Sequence, residues 1–198
     1  MMIDEAAAPG GSIRRLWPSD LPAFQAHLLR LDARSRHERF GHAVNDAWLA
    51  DYSKSCFGLE AITYGFFETG AIRGAGELRT GLLSPRAGGA EAAFSVEPAY
   101  RHRGVGAALM ARILRAAGNR RLDRLNLYCL AQNRAMLGLA RKFTDELRFE
   151  TDAVSGRLVA RLPSPLSLWG EVFDDSAGFA AACVSAQRRL FDAIAHPS

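Results

Sequence analysis

The segment Val96-Glu97-Pro98-Ala99-Tyr100-Arg101-His102-Arg103-Gly104-Val105-Gly106 constrains this chain more than any other. It leads from an apolar stretch at 90–96, which reads as a strand ended by Pro98, straight into a helical repeat. In that repeat Val105, Leu109, Ile113 and Ala116 share one face, while Arg112 and Arg115 lie off it. A helix that starts this way leaves its first N–H groups without partners. They point outward together, and the helix dipole adds partial positive charge. Gly104 and Gly106 remove Cβ atoms where an anion would meet the backbone, and Arg101 and Arg103 add charge beside it. The junction therefore predicts an anion site, suited to a pyrophosphate.

Two common phosphate-binding turns fit badly. No Gly-Lys-Ser/Thr is present, so this is no P-loop. A dinucleotide turn wants a third glycine where Leu109 stands, and an acidic residue about 20 positions on. The strand expected at 124–130 ends instead in Cys129-Leu130.

The elements around the junction set its frame. A short strand at 13–17 precedes Pro18-Ser19-Asp20, and Leu21, Phe24, Leu28 and Leu31 then recur at helical spacing. Residues 32–42 are polar and basic and read as a loop or irregular helix, after which Asn45 or Asp46 caps a helix carrying Trp48 and Tyr52. Strands at 61–67 and 71–80 flank the turn Glu68-Thr69-Gly70, and 85–89 is a loose loop. A helix at 133–143 follows the 124–130 strand, and strands at 147–152 and 157–162 flank a turn at Val154-Ser155-Gly156. Past Pro163 and Pro165, Asp174 or Asp175 caps a helix with Phe179, Cys183, Ala186, Leu190 and Ile194 on one face, which must pack on its own domain or on a partner subunit. Strands in sequence followed by βα units predict an α/β (α+β) fold, a mixed sheet with helices on both faces. We expect a flexible 1–11, a domain at 12–162 and an extension at 163–198.

At 198 residues and 48% hydrophobic, the chain can bury a real core. Its net charge of +4 favours anionic partners but does not choose among them. The basic cluster Arg112, Arg115, Arg120, Arg121 and Arg124 has no interleaved aromatics, which disfavours nucleic acid. Cys56, Cys129 and Cys183 are widely spaced in apolar contexts, so they read as buried thiols, and no metal site is expected. Met1 to Gly10 carry Asp4 and Glu5 and no basic stretch, so no signal peptide is expected. No apolar run nears the roughly 18 residues a membrane span needs, and the cytoplasm is the default.

The stretch Phe94-Ser95-Val96-Glu97-Pro98-Ala99-Tyr100-Arg101-His102-Arg103-Gly104-Val105-Gly106 resembles the signature of the GNAT superfamily of N-acetyltransferases, Gln/Arg-x-x-Gly-x-Gly/Ala after a strand ending in Val-x-Pro. Asn133, opening a helix that carries Lys142, is similar to the second coenzyme-contacting segment of that family. The resemblance covers about 12–162 in element order, and 90–143 at the level of motifs. It implies a mostly antiparallel, twisted sheet of six to seven strands, with strands 4 and 5 splayed and an extra C-terminal helix. It also implies acetyl-CoA as co-substrate. The pantetheine arm would lie between the splayed strands along Phe94, Ser95 and Val96. The pyrophosphate would rest on Arg101, His102, Arg103, Gly104, Val105, Gly106 and Ala107, and Asn133 would touch the arm. The 90–96 strand and Ser35-Arg36-His37-Glu38-Arg39-Phe40 resemble the protein-lysine acetyltransferase branch, in which a strand glutamate is the general base.

Transfer from a thioester to an amine needs a base, because an ammonium of pKa ~10.4 has no lone pair. Glu91 is the candidate, with Glu97 a fallback expected to face solvent beside Pro98. Many relatives carry a tyrosine acid midway along the Asn-led helix, but here that position is Ala140, and Thr144-Asp145 replaces the usual glycine-aromatic pair. Tyr128 or a water is the substitute. Arg34, Arg36 and Arg39 would border the entrance for the amine, a small molecule or a protein lysine, in loops near 32–45 and 81–90. The missing tyrosine keeps open a catalytically weak acyl-CoA-binding sensor, and a plain anion-binding domain is a third reading. A homodimer is left open.

Overall fold

The computed structural model describes residues 10–80, 90–122, 124–144, 146–149, 153–160 and 162–195; the expected loop at 85–89 and nearly all of the expected flexible 1–11 lie outside them. Seven described strands form one sheet in the order β1-β2-β3-β4-β5-β7-β6. They are β1 (Ser12–Arg15), β2 (Ala61–Glu68), β3 (Ala71–Arg79), β4 (Ala90–Val96), β5 (Arg124–Leu130), β6 (Leu147–Phe149) and β7 (Ala153–Val159). Every neighbouring pair is antiparallel except β4 and β5. The β2–β3 hairpin closes through Thr69 and Gly70 at φ 50° and 77°, the positive values a two-residue turn requires.

Six described helices cover the sheet: α1 (Leu21–Arg30), α2 (Ala33–Phe40), α3 (Asp46–Ser55), α4 (Val105–Asn119), α5 (Arg134–Ala140) and α6 (Pro165–Ala195). The face of α4 read from the sequence, Val105, Leu109, Ile113 and Ala116, is buried against Ile62, Tyr64, Phe66 and Leu78. A second core lies on the opposite face, where Phe24, Leu28 and Leu49 of α1 and α3 pack on Ile72 and Ala75. Gly76 decides how closely β3, β4 and α4 approach. A Cβ there would stand 3.0 Å from the Phe94 ring and 3.3 Å from Ile113, so the ring lies over bare backbone.

The parallel pair is short. β4 and β5 pair at Ala90–Leu125, Glu91–Asn126 and Ala92–Leu127, and beyond these rungs the strands part. The predicted splay is therefore present, with its apex at Ala92 and Leu127.

Four local expectations change. Residues 33–40 form a regular helix, because Asp32 caps it by accepting from Ser35 N–H at 2.7 Å and Gly41 ends it at φ 77°. The helix led by Asn133 stops at Ala140, short of Phe143. Val154-Ser155-Gly156 is no turn. It lies inside β7, paired with β5 on one side and β6 on the other, and Val154, Gly156 and Leu158 alternate into the core. Leu147 fills the space a side chain at 156 would need, its Cδ2 only 2.9 Å from where a Cβ would sit.

The fourth change is at the C-terminus. α6 begins at Pro165, not at Asp174 or Asp175, and Ser164 Oγ accepts from Ser167 N–H at its start. Its docked face is polar and small rather than apolar. Asp174 binds Arg112 and Arg115, Glu171 binds Arg120 at 2.6 Å, and Asp175 binds Arg15 at 2.6 Å. Gly178 and the fully buried Ala182 complete the stripe. Arginines that read as a basic cluster thus meet the acids of α6. The apolar side, including Trp169, Phe173, Phe191 and Ile194, faces outward, and Phe179 is half covered by Trp17. Cys183 is exposed with it, whereas Cys56 and Cys129 are buried as expected. Among the described residues no helix is long and apolar enough to cross a membrane, and no cluster of metal-ligating side chains occurs.

Candidate active site

The turn before α4 places His102 at φ 59° and Gly104 at φ 82°. Left-handed residues alternating in this way turn successive N–H groups into one concavity, suited to an anion. For a non-glycine residue the conformation costs roughly 1 kcal/mol, which the fold carries at His102. Arg101 braces the turn from inside: it donates to Val96 C=O at 3.1 Å and to Ser35 Oγ at 2.8 Å, and lies 3.5 Å from Glu38.

Behind this turn a cavity of about 280 Å³ opens into the splay. β4 lines one side of it through Phe94, Ser95 and Val96, α5 and its cap line the other from Asn133 to Lys142, and α2 closes over it with Ser35, Glu38 and Arg39. Arg101, His102, Gly104, Gly106 and Ala107 form its mouth, with Arg134 and Lys142 adding positive charge. Two expected contacts, Arg103 and Val105, do not line it. The Arg103 side chain donates to Glu68 at 2.9 Å and lies over Tyr100, and Val105 is buried beneath the turn against Gly74. Asn133 accepts from Met136 N–H at 3.0 Å, capping α5, and reaches Glu38 C=O at 3.4 Å.

The backbone of β4 faces the gap in a definite way. Glu97 N–H bonds to Arg73 C=O at 3.0 Å, towards β3. By strand alternation, N–H of Phe94 and Val96 point the other way, into the opening where β5 has withdrawn.

Glu91 and Tyr128 do not line the cavity; they flank the apex of the splay. Glu91 is half-buried on the rung before the strands part, between Arg79 of β3 and Asn126 of β5, and alternates to the face away from α4. Tyr128 is the first β5 residue past the last rung and is half-buried. Ala140, at the position of the usual tyrosine, is 1% exposed and part of the main core, so α5 brings no hydroxyl there.

Two buried polar groups on this face are not evident from the sequence. In the first, Glu77 accepts from Arg39 at 2.9 Å, from Tyr52 Oη at 2.5 Å, from Arg79 at 3.3 Å and from Cys56 Sγ at 3.4 Å. Burial alone would raise its pKa, but Arg39, Arg79 and the tyrosine hydroxyl hold it down to about 2. Arg39 is therefore committed to the fold, as is Arg36, which binds Asp46 and the carbonyls of Leu29 and Leu31. Only Arg34 of the expected entrance arginines stays outside, paired with Glu38. In the second, Glu97 does not face solvent: it is 8% exposed and binds His27, Arg30 and Arg73, because the β3 pairing continues one residue past Val96 and turns its side chain beneath α1.

A sheet opened between its parallel strands, with a helix N-terminus aimed into the opening, has the architecture expected of a coenzyme-A-dependent acyltransferase. The Acetyltransferase (GNAT) family profile matches residues 24–144, and the chain belongs to that family. It is an acetyltransferase whose acyl donor is acetyl-CoA. Solved structures share the fold. The GNAT domain of S. lividans PAT is 20% identical with a TM-score of 0.61, over 75% of this chain and 90% of that one. The ribosomal-protein-S18-alanine N-acetyltransferase from Escherichia coli is 19% identical with a TM-score of 0.56, over 78% and 97%. A Salmonella typhimurium protein solved with acetyl-CoA is 16% identical with a TM-score of 0.57, over 78% and 96%. No curated protein matches significantly.

Proposed function

We propose that the protein moves an acetyl group from acetyl-CoA to a primary amine, of a protein lysine or a small molecule, by direct attack in a ternary complex. The observation that carries this reading is the splay, with an anion-binding turn at its mouth and a half-buried carboxylate, Glu91, at its apex. The pyrophosphate would take the N–H groups from His102 to Ala107, and the arm would pair with Val96, leaving Phe94 N–H to the thioester carbonyl. Glu91 would accept the amine proton, directly or through a water, and Tyr128 would supply one to the departing thiolate. We read 12–162 as the acyltransferase domain and 163–198 as an extension laid on it. A cytoplasmic setting goes with this reading. A homodimer has its support in the apolar outer face of α6.

Coenzyme binding tests the reading directly. Acetyl-CoA is expected to raise the Tm of the wild type. In Gly104→Glu an anion enters the cradle and repels the pyrophosphate, a cost of several kcal/mol, so affinity falls about 100-fold or more and the shift disappears. An equal shift in both proteins would sink the assignment. A sensor with weak catalysis is favoured by one observation, the burial of Ala140 where an acid is usual. Binding without amine-dependent thiol release, across amines and lysine peptides, would decide for it.

A further inference from the structure

Ser95, His27 and Glu97 come from α1 and from the turn end of β4, and they meet in one line. His27 Nε2 lies 2.9 Å from Ser95 Oγ, and its Nδ1 lies 3.2 Å from Glu97 Oε1. The imidazole is fully buried, and Ser95 lines the cavity between Phe94 and Val96.

The proton positions follow from the partners. Glu97 accepts from Arg30 Nε at 2.9 Å and from Arg73 at 3.1 Å. Burial would raise its pKa, but the bonds from His27 and Arg30 hold it below the usual carboxylate value, so it is ionised at neutral pH. An ionised carboxylate only accepts, so His27 Nδ1 carries the imidazole proton. Nε2 is then bare and accepts from Ser95 Oγ–H. Burial also pushes the pKa of His27 below its ordinary value, against the pull of Glu97, which leaves a neutral base. This is a hydroxyl on a base that is oriented by a carboxylate, the arrangement that activates a serine nucleophile. Beside it, N–H of Phe94 faces the gap, nearer the apex than the N–H of Val96 that the arm would take, and can receive an oxyanion.

We propose that these residues give the pocket a second activity: with no amine in place, Ser95 takes the acyl group from the thioester as an ester, and water then releases it. The proposal rests on acyl-CoA filling the cavity, as above. In the first half, an Oγ–C bond forms while the C–S bond breaks. The serine proton passes to His27 Nε2 and from there to the coenzyme sulfur. In the second half, water attacks the ester, its proton goes to Nε2, and Ser95 Oγ leaves and takes that proton back. The sum is acyl-CoA plus water giving carboxylic acid plus free coenzyme.

The test uses the full chain and acetyl-CoA without amine. Thiol release is followed in time, and acid-quenched samples are weighed intact and fragmented. The wild type is expected to release thiol in a burst of about one equivalent, then slowly. Quenched protein should carry one acetyl group on Ser95. Ser95→Ala should lose the adduct and slow amine-independent release by about 100-fold or more. Glu97→Gln, which keeps volume, should slow formation of the adduct, and Ser95→Cys should retain an adduct. Thiol release unchanged in Ser95→Ala, or no adduct in the wild type at any time, overturns the proposal. If amine transfer is then still present and Glu91-dependent, the inference fails while the proposed function stands. An ester on Ser95 with no amine transfer upholds the inference and removes the amine reaction.

Discussion

Glu91→Gln is expected to lower kcat for amine acetylation by about 100- to 10,000-fold, with KM for acetyl-CoA nearly unchanged. Glu91 sits where the parallel ladder ends, on the face away from α4, and lies outside the cavity that would hold the coenzyme. Its loss therefore removes proton acceptance and leaves donor binding in place. The amide keeps the shape and cannot take a proton. Initial rates across pH provide the check. The acid limb of the wild-type profile should vanish in the variant, and partial activity should return at high pH, where the amine is already neutral. An unchanged kcat at neutral pH would take Glu91 out of the mechanism.

The largest stability effect should come from Glu77→Ala. This carboxylate is fully buried and holds Arg39, Arg79, Tyr52 and Cys56 around it. Removing it strands two buried guanidinium groups, with an expected cost of about 3–5 kcal/mol. Urea unfolding should show a lower midpoint at an unchanged slope. The same group sets an acid limit. Its pKa is lowered from 4.5 to about 2 on folding, so its contribution is complete above pH 4.5 and lost as pH falls towards 2. Wild-type stability should fall over that window. Glu77→Gln should be weaker at neutral pH and flatter below 4.5, and a variant with the same acid slope as wild type would argue against this assignment.

The backbone of the site was legible because it depends on local chemistry. Strand, proline stop, glycine turn and apolar face are written consecutively from Ala90 to Ala116, and β4, β5 and α4 stand within a residue of where they were expected. What connects distant segments was not. Nothing near His27 announces Glu97, 70 positions away, or ties Arg39 to Glu77. α2 did carry a local signature, Asp32 three residues before Ser35 and a closing Gly41, but its run of charges masked it. Ser155-Gly156 looked like a turn because those residues favour turns. Pairing on both sides, with β5 and β6, overrides that preference. The docked face of α6 was hidden for a related reason: it is chosen by Arg15, Arg112, Arg115 and Arg120 elsewhere in the chain, not by its own apolar stripe.

The ladder that ends at Ala92 and Leu127 leaves two strand edges in the middle of the sheet. Edges usually lie at the rim, where they are blunted or covered. An extended molecule with amides along its length can pair with such an edge, and in doing so joins the halves of the sheet into one mechanical unit. Occupancy and folding are then linked quantities. A donor present at 100 times its Kd adds about 2.7 kcal/mol to stability, a large part of what a domain of this size has in reserve. On that arithmetic a saturating acyl donor is expected to raise the protein's resistance to unfolding as well as its rate of turnover.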